Sequence, residues 1–320
     1  MTEEALTDAT PHDAEHEGAQ EPASSPGSGA PARIGVIGLG AMGRPMAHHL
    51  LEANGALTIT GRTRRPGDSL VEAGATWVDT ARELAASVDA VLVMLPDLPQ
   101  LEEVLAGPDG LLAGVDHELL LLIGSSSSPT GVRALAERLD ASTGGLVHVV
   151  DCPVSGGEDG AKAGALSIMV GGADADAARA ARILARCGRP VHLGPLGAGQ
   201  VAKACNQLVV SATILALGEA SVLADRSGID LDAMWSLLGG GYAGGNLLAS
   251  RREKLVTGDD SPSGVAKYMI KDLTFANDVA EATGTNAVLL PTLRAAFDEI
   301  VDAGLGDRDI SVARRFVAER

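Results

Sequence analysis

Aromatic residues are scarce: two Trp, two Tyr and three Phe in 320 residues. An aromatic-rich β-sandwich is therefore disfavoured, and an apolar content drawn from Ala, Val and Leu suits helix packing and parallel strands. Cysteine is scarcer still. Cys152, Cys187 and Cys205 are scattered and odd in number, which makes neither a disulfide framework nor a CxxC redox or zinc motif, and a reducing cytoplasm is the simplest setting. The seven histidines offer no HExxH or other ligand spacing; His48 and His49, adjacent on a predicted helix, point about 100° apart, so no metal is expected. No uninterrupted run reaches the ~18 apolar residues of a membrane span, and the start of the chain lacks the basic segment and apolar stretch of a signal peptide; no membrane partner is expected. Positive charge is in deficit too, with 25 Lys and Arg against 42 Asp and Glu and a net charge of −17. That argues against a nucleic-acid partner bound by phosphate neutralisation. Only five of the basic residues are lysines, Lys162, Lys203, Lys254, Lys267 and Lys271, so each one is informative.

The length allows one large domain or two ordinary ones. Residues 1–32 hold Glu3, Glu4, Asp8, Asp13, Glu15, Glu17 and Glu21, no Lys or Arg, and a Pro, Ser, Gly and Ala background without a periodic apolar face. Such a stretch cannot repay the entropy of ordering and is expected to be a disordered acidic tail. From Arg33 onward, short apolar runs alternate with helical patterns. Strands are predicted over 34–37, 56–60, 90–95, 119–123 and 146–150, and helices over 41–53, 68–73, 81–86 and 129–139. This alternation is the signature of a parallel sheet covered on both faces. Strand signals at 167–170 and 191–193, bracketing a helix at 174–187, extend that sheet. After Gly194 the pattern becomes wholly helical. Residues 199–226 are almost all small or apolar and contain no Pro, which predicts one long buried helix; further helices are predicted near 231–238, 246–256, 265–281, 287–303 and 310–319.

Gly38-Leu39-Gly40-Ala41-Met42-Gly43 is a GxGxxG directly after the first strand and directly before the first helix. Gly38 permits the tight turn, Gly40 lets the backbone approach a pyrophosphate, Gly43 lets helix pack on strand, and the helix N-terminus supplies free N–H groups and positive dipole. In that context the motif predicts a dinucleotide site. The second strand ends Thr60-Gly61-Arg62-Thr63-Arg64, so no carboxylate is offered to a ribose 2′-OH, whereas Arg62, Thr63 and Arg64 suit a 2′-phosphate. NADP is the expected cofactor, with NAD the alternative. The fold class is α/β: an N-terminal Rossmann doubly wound parallel sheet over 33–196, plus a C-terminal all-α domain over 197–320 built around the long buried helix.

Asp151-Cys152-Pro153-Val154-Ser155-Gly156-Gly157 follows a predicted strand end, where Ser155, Gly156 and Gly157 can turn backbone N–H groups toward a carboxylate. Gly197-Ala198-Gly199-Gln200-Val201-Ala202-Lys203-Ala204-Cys205-Asn206-Gln207 opens the long helix. Lys203, Asn206 and Gln207 share one face of it, and a lysine set in so apolar a stretch would lose basicity, which suits a proton donor or an oxyanion partner.

These motifs resemble the β-hydroxyacid dehydrogenase family, which includes 3-hydroxyisobutyrate dehydrogenases and 2-hydroxy-3-oxopropionate reductases. Four blocks carry the likeness: GLGAMGRPMA at 38–47, DCPVSGGEDGAKAGALSIMVGG at 151–172, GAGQVAKACNQ at 197–207 and KDLTFA at 271–276. The resemblance implies that Lys203 is the catalytic general acid/base, that Ser155, Gly156, Gly157, Asn206 and Gln207 bind substrate, and that Leu95, Pro96, Ser126 and Lys271 join the glycine turn at the cofactor. It also implies a small hydroxy acid or semialdehyde as substrate and a homodimer or homotetramer. Two departures stand out. Ser125-Ser126-Ser127-Ser128-Pro129 replaces a usual Ser-Thr-Ile-Ser-Pro, and Gln207 replaces the second Asn of the usual KxxNN. Two other readings compete: an imine reductase-like NADPH oxidoreductase, whose family usually lacks the lysine, and a non-catalytic dinucleotide-binding interaction protein.

Overall fold

The computed structural model describes residues 32–320, so all but the last residue of the acidic leader lies outside the described residues. The first half alternates β1 (Ile34–Ile37), α1 (Gly43–Asn54), β2 (Thr58–Thr60), α2 (Asp68–Glu72), β3 (Thr76–Trp77), α3 (Ala81–Ser87), β4 (Ala90–Val93), α4 (Leu98–Leu105), β5 (Leu119–Ile123), α5 (Pro129–Thr143) and β6 (Val147–Asp151). The six strands pair in parallel in the order β3-β2-β1-β4-β5-β6. Chain direction across the sheet reverses between β1 and β4, and in sheets of this kind ligands bind at the carboxyl ends of the strands at that point.

Alternation along the central strands builds a core on each face. Val36, Leu92, Leu120 and Leu122 pack with Met46 and Leu50 of α1 on one side, while Ile37, Val91, Val93 and Leu121 pack with Leu84 of α3 and Val132 and Leu135 of α5 on the other. Helix starts are chemically marked. Thr80 and Glu83 form a capping box on α3, and Ser128 accepts from the Gly131 amide ahead of Pro129 on α5. Two elements of this half escape the sequence pattern. The two-residue β3 is too short to show a period, and α4 follows Asp97, whose carboxylate accepts from the Gln100 N–H, a start signal hidden beside Pro96.

β7 (Val154–Ser155), α6 (Gly157–Lys162), β8 (Leu166–Gly171), α7 (Asp174–Leu184) and β9 (Gly188–Gly194) extend the sheet. Here it is not parallel throughout. β8 runs antiparallel to β6 and β7, and β9 is parallel to β8. The physical reason is connection length: the chain between Ser155 and Leu166 is shorter than the dozen or more residues a parallel crossover requires, so it returns as a hairpin.

The second half is helical: α8 (Ala198–Arg226), α9 (Leu231–Leu238), α10 (Asn246–Thr257), α11 (Tyr268–Thr283), α12 (Leu290–Asp302) and α13 (Ala313–Glu319). At 1.5 Å per residue α8 is about 44 Å long. It is long and apolar enough to cross a membrane, but it is the core helix around which the other five pack, and its first turns also lie on β8. Leu217, Trp235, Leu273 and Phe297 fill the helical core. Coverage of α8 is not complete around its circumference. Val209 is 63% exposed and Leu223 70% exposed, with Cys205 exposed on the same stripe.

Candidate active site

The end of β1 is the first component. Gly38 has φ +97°, and a side chain at Gly43 would collide with the Gly38 carbonyl oxygen, so α1 can begin only where glycine lets the turn fold on itself. α1 starts without a side-chain cap, whereas at Gly40 a Cβ would meet nothing within 4 Å. Open space against the backbone at the start of a helix fits a dinucleotide pyrophosphate. The Leu95 side chain lies beside Gly38, and Leu39 reaches Gly67, just past the arginine-bearing loop. In that loop Arg62, Thr63 and Arg64 are exposed. Arg64 stands 6.0 Å over the Trp77 ring and 3.9 Å from Asp68, while Arg62 has no salt bridge among the described residues. No acidic residue ends β2, which fits a 2′-phosphate.

The second component is the start of α8. Asp151, fully buried at the end of β6, accepts from the Gly197 N–H and the Gln200 N–H, both at 2.7 Å. Gly199 leaves room for this docking, since a methyl there would collide with the Met169 carbonyl of β8. Gln200 in turn accepts from the Ser127 N–H at 2.9 Å and donates to the Ser125 carbonyl at 2.9 Å. The Ser125 hydroxyl accepts from the Leu95 N–H. One chain of hydrogen bonds thus links the ends of β4, β5 and β6 to the first turn of α8.

Burial pushes the Asp151 carboxyl up to about 6, against the pull of its two backbone donors. A raised folded value means that the contribution to stability is fully present below the ordinary carboxyl value of 3.8 and is lost as pH rises through about 6. Asp151→Asn sets an NH2 against a backbone N–H and should lower stability by about 1–3 kcal/mol. Thermal melts across pH should also lose the part of the slope that falls between those two values; an unchanged melting temperature and pH slope would argue against this anchoring role.

One turn further along α8, the Lys203 ammonium donates to the Val154 carbonyl of β7 at 2.9 Å and to Gln207 Oε1 at 3.0 Å. Burial lowers its basicity; nearby Asp272 raises it and Lys271 lowers it further. Asn206 donates to Gln207 Oε1 at 2.8 Å and accepts from the Ser155 hydroxyl at 3.3 Å. Ser155 leads into Gly156 and Gly157, whose φ of 133° and 64° fall in the region glycine favours. Lys271, from α11, donates across to the Pro96 carbonyl at 2.6 Å and the Ser126 carbonyl at 3.2 Å. Ser126, Ser127, Gln200, Lys203, Asp272 and Phe275 line a small slot there.

The structure therefore gathers Lys203, Asn206, Gln207 and Ser155 into one network, joins Lys271 to Pro96 and Ser126, and sets Leu95 against the glycine turn. Arg62, Thr63 and Arg64 stand apart at the end of β2. Gln207 is 6% exposed and lines the same slot, and its NH2 donates to Asp272 Oδ2 at 2.6 Å. Sequence reasoning passed over Asp151, Gln200 and Asp272 as site residues. A signal existed for Asp272, an acid directly following Lys271 in the KDLTFA block. Among the described residues no group of three His, Cys, Asp or Glu side chains stands close enough to hold a metal ion.

Comparison with known proteins agrees with this layout. Residues 33–197 match the family model described as the NAD binding domain of 6-phosphogluconate dehydrogenase, and residues 197–317 match that described as NAD-binding of NADP-dependent 3-hydroxyisobutyrate dehydrogenase. The chain is 34% identical to 2-hydroxy-3-oxopropionate reductase of Escherichia coli, over 87% of its own length and 94% of the relative's. It is 35% identical to NAD-dependent L-serine dehydrogenase of Pseudomonas aeruginosa, over 88% and 97%. A crystal structure of 3-hydroxyisobutyrate dehydrogenase from Salmonella typhimurium superposes with a TM-score of 0.80 at 28% identity, covering 89% of this chain and 99% of that one.

Proposed function

The chain belongs to the β-hydroxyacid dehydrogenase family and is an NAD(P)-dependent oxidoreductase; on that premise we propose that it interconverts a small β-hydroxy acid and its semialdehyde with NADP, using Lys203 as general acid and base. The observation that carries this is a half-buried ammonium, held by the Val154 carbonyl and Gln207, at the slot where the loop after β5, α8 and α11 meet. The nicotinamide, when bound, supplies or accepts the hydride. Lys203 gives a proton to the forming alkoxide during reduction and takes it back during oxidation. Ser155, Gly156 and Gly157 receive the substrate carboxylate with backbone N–H groups, and Asn206, hydrogen-bonded to Ser155, holds that turn to the lysine face. Gly38 to Gly43 cradle the pyrophosphate; Leu95, Pro96, Ser126 and Lys271 line the nicotinamide end. A half-buried lysine at this place favours carbonyl reduction over imine reduction, and favours catalysis over a purely binding role.

The domain division at about residue 196, the homodimer or homotetramer and a cytoplasmic setting belong to the same proposal. The uncovered apolar stripe at Val209 and Leu223 supports self-association, and three free cysteines support a reducing compartment. Preference for NADP is proposed from Arg62 and Arg64. Arg62→Ala should lower kcat/KM for NADPH about 10- to 100-fold, the worth of a hydrogen bond to a charged group, with little change for NADH; equal losses for both cofactors would contradict the assignment. The function itself is tested by following NADPH and NADH oxidation with tartronate semialdehyde, methylmalonate semialdehyde, succinic semialdehyde and glyoxylate. Turnover of one or more is expected, and inertness toward all of them in a protein that binds NADPH would overturn it.

A further inference from the structure

Lys203 stands in a wider arrangement than its catalytic role requires. Gln207 sits one turn beyond it on α8, and its amide orientation is fixed by its partners: Oε1 accepts from both Lys203 Nζ and Asn206 Nδ2, while Nε2 faces Asp272 Oδ2 at 2.6 Å and the Met269 sulfur at 3.6 Å. A flipped amide would set NH2 against an ammonium and oxygen against a carboxyl oxygen. Asp272 is itself 7% exposed and belongs to α11, and neither its carboxyl nor the Lys203 ammonium has a salt bridge within 4 Å among the described residues. A buried acid and a half-buried base thus stand with one amide between them.

We propose that Gln207 and Asp272 are the positioning pair for Lys203: the Gln207 carbonyl fixes the ammonium in place, and the Gln207 NH2 presents to it, at one remove, the balancing negative charge of Asp272. The inference rests on Lys203 being the proton donor. In this chain one side chain, Gln207, spans both groups.

The electrostatic surroundings are few. On α11 they are Asp272, which raises the basicity of Lys203, and Lys271, which lowers it. From β7 comes the Val154 carbonyl and Ser155, and from the loop after β5 come Ser126 and Ser127, none of which titrates near neutrality. β6 contributes Asp151, held on the first turn of α8, and α5 contributes Arg133, bonded to the Leu196 carbonyl. Asp272 is the one acid coupled to Lys203. Burial raises the Asp272 carboxyl, while Lys203, Lys271 and the Gln207 donor pull it back toward ionisation.

The scarcity of lysine makes the test direct. With five lysines in the chain, isotope-labelled lysine Cε resonances can be assigned, and the Lys203 titration followed by NMR in the full-length protein, in Asp272→Asn and in the near-isosteric Gln207→Met. Loss of the balancing charge should lower the Lys203 midpoint by about one pH unit in Asp272→Asn, and the alkaline limb of reductive kcat should move down with it. Turnover should recover toward the parental value at low pH, where the lysine is protonated again. Gln207→Met should lower kcat about tenfold and move the same limb. Either folded variant decides the matter. A Lys203 midpoint that stays in place, or a loss of turnover uniform across pH, overturns the proposal. The titration does not depend on turnover, so failure here is distinct from failure of the functional assignment, which would show as undiminished reduction by Lys203→Ala.

Discussion

Lys203→Ala is expected to lower reductive kcat by about 10²- to 10⁴-fold, the usual worth of a positioned proton donor, while leaving NADPH affinity close to parental. Removing the ammonium leaves Gln207 Oε1 with its second donor, Asn206, and relieves the burial of a cation, so the fold should survive. The losses are the donor to the Val154 carbonyl, a deficit of roughly 1 kcal/mol, and the cation that favours the ionised form of Asp272. Because burial depresses the basicity of Lys203, the parental reduction rate should fall with rising pH below the ordinary lysine range, and Lys203→Ala should lack that limb. Lys203→Arg should not rescue, since a guanidinium keeps its proton at any relevant pH. Steady-state kinetics across pH, paired with NADPH binding followed by fluorescence, check this. Undiminished kcat in Lys203→Ala would remove the lysine from the chemistry.

Gly43→Ala should abolish useful cofactor binding by a purely steric route. The added methyl would collide with the Gly38 carbonyl oxygen and press on the Met94 side chain at 3.1 Å. The first obstacle is backbone, so relief requires α1 to back away from β1. Overpacking of this kind costs about 1–3 kcal/mol, occasionally more. It also spoils the alignment of the N–H groups at the start of α1, where each lost hydrogen bond to a charged phosphate weakens affinity about 10- to 100-fold. Gly40→Ala is the matched control for fold stability: a Cβ there meets nothing in the protein, so it should leave the melting temperature unchanged and weaken only the cofactor. NADPH titrations and thermal melts of the two variants side by side give the answer. A Gly43→Ala protein with parental affinity and stability would show that the turn is not the close contact described.

What could be read from the sequence was local. The central strands β1, β4 and β5 are continuous runs without a polar side chain, and the glycine turn, the Ser-Gly-Gly segment and the lysine helix are contiguous motifs, so their placement follows from period and spacing. The antiparallel entry of β8 was hidden because strand direction depends on how soon the chain can return, which a strand's own residues do not encode. Position 207 is the instructive case. Helical spacing correctly put Gln207 on the face of Lys203, but its partner Asp272 lies 65 residues away on another helix, and only packing shows that the amide NH2 donates to that carboxyl. Asp151 is similar: its two backbone partners, 46 and 49 residues distant, make it an anchor of α8 instead of another polar residue at a strand end. Coverage of α8 by its neighbours likewise could not be judged from its own composition, which is apolar on the exposed stripe as well.

Transfer of deuterium from NADPH carrying deuterium at both C4 positions tests the central claim most directly. The protein is incubated with the labelled cofactor and tartronate semialdehyde or another turned-over aldehyde from the panel, and the product is read by mass spectrometry. Hydride transfer to the carbonyl carbon, with the proton supplied through Lys203, predicts product carrying the deuterium at its carbinol carbon in the parent, and formation slowed by the same factor as kcat in Lys203→Ala. Product without deuterium while the aldehyde is consumed, or labelled product formed equally fast without Lys203, would contradict the account.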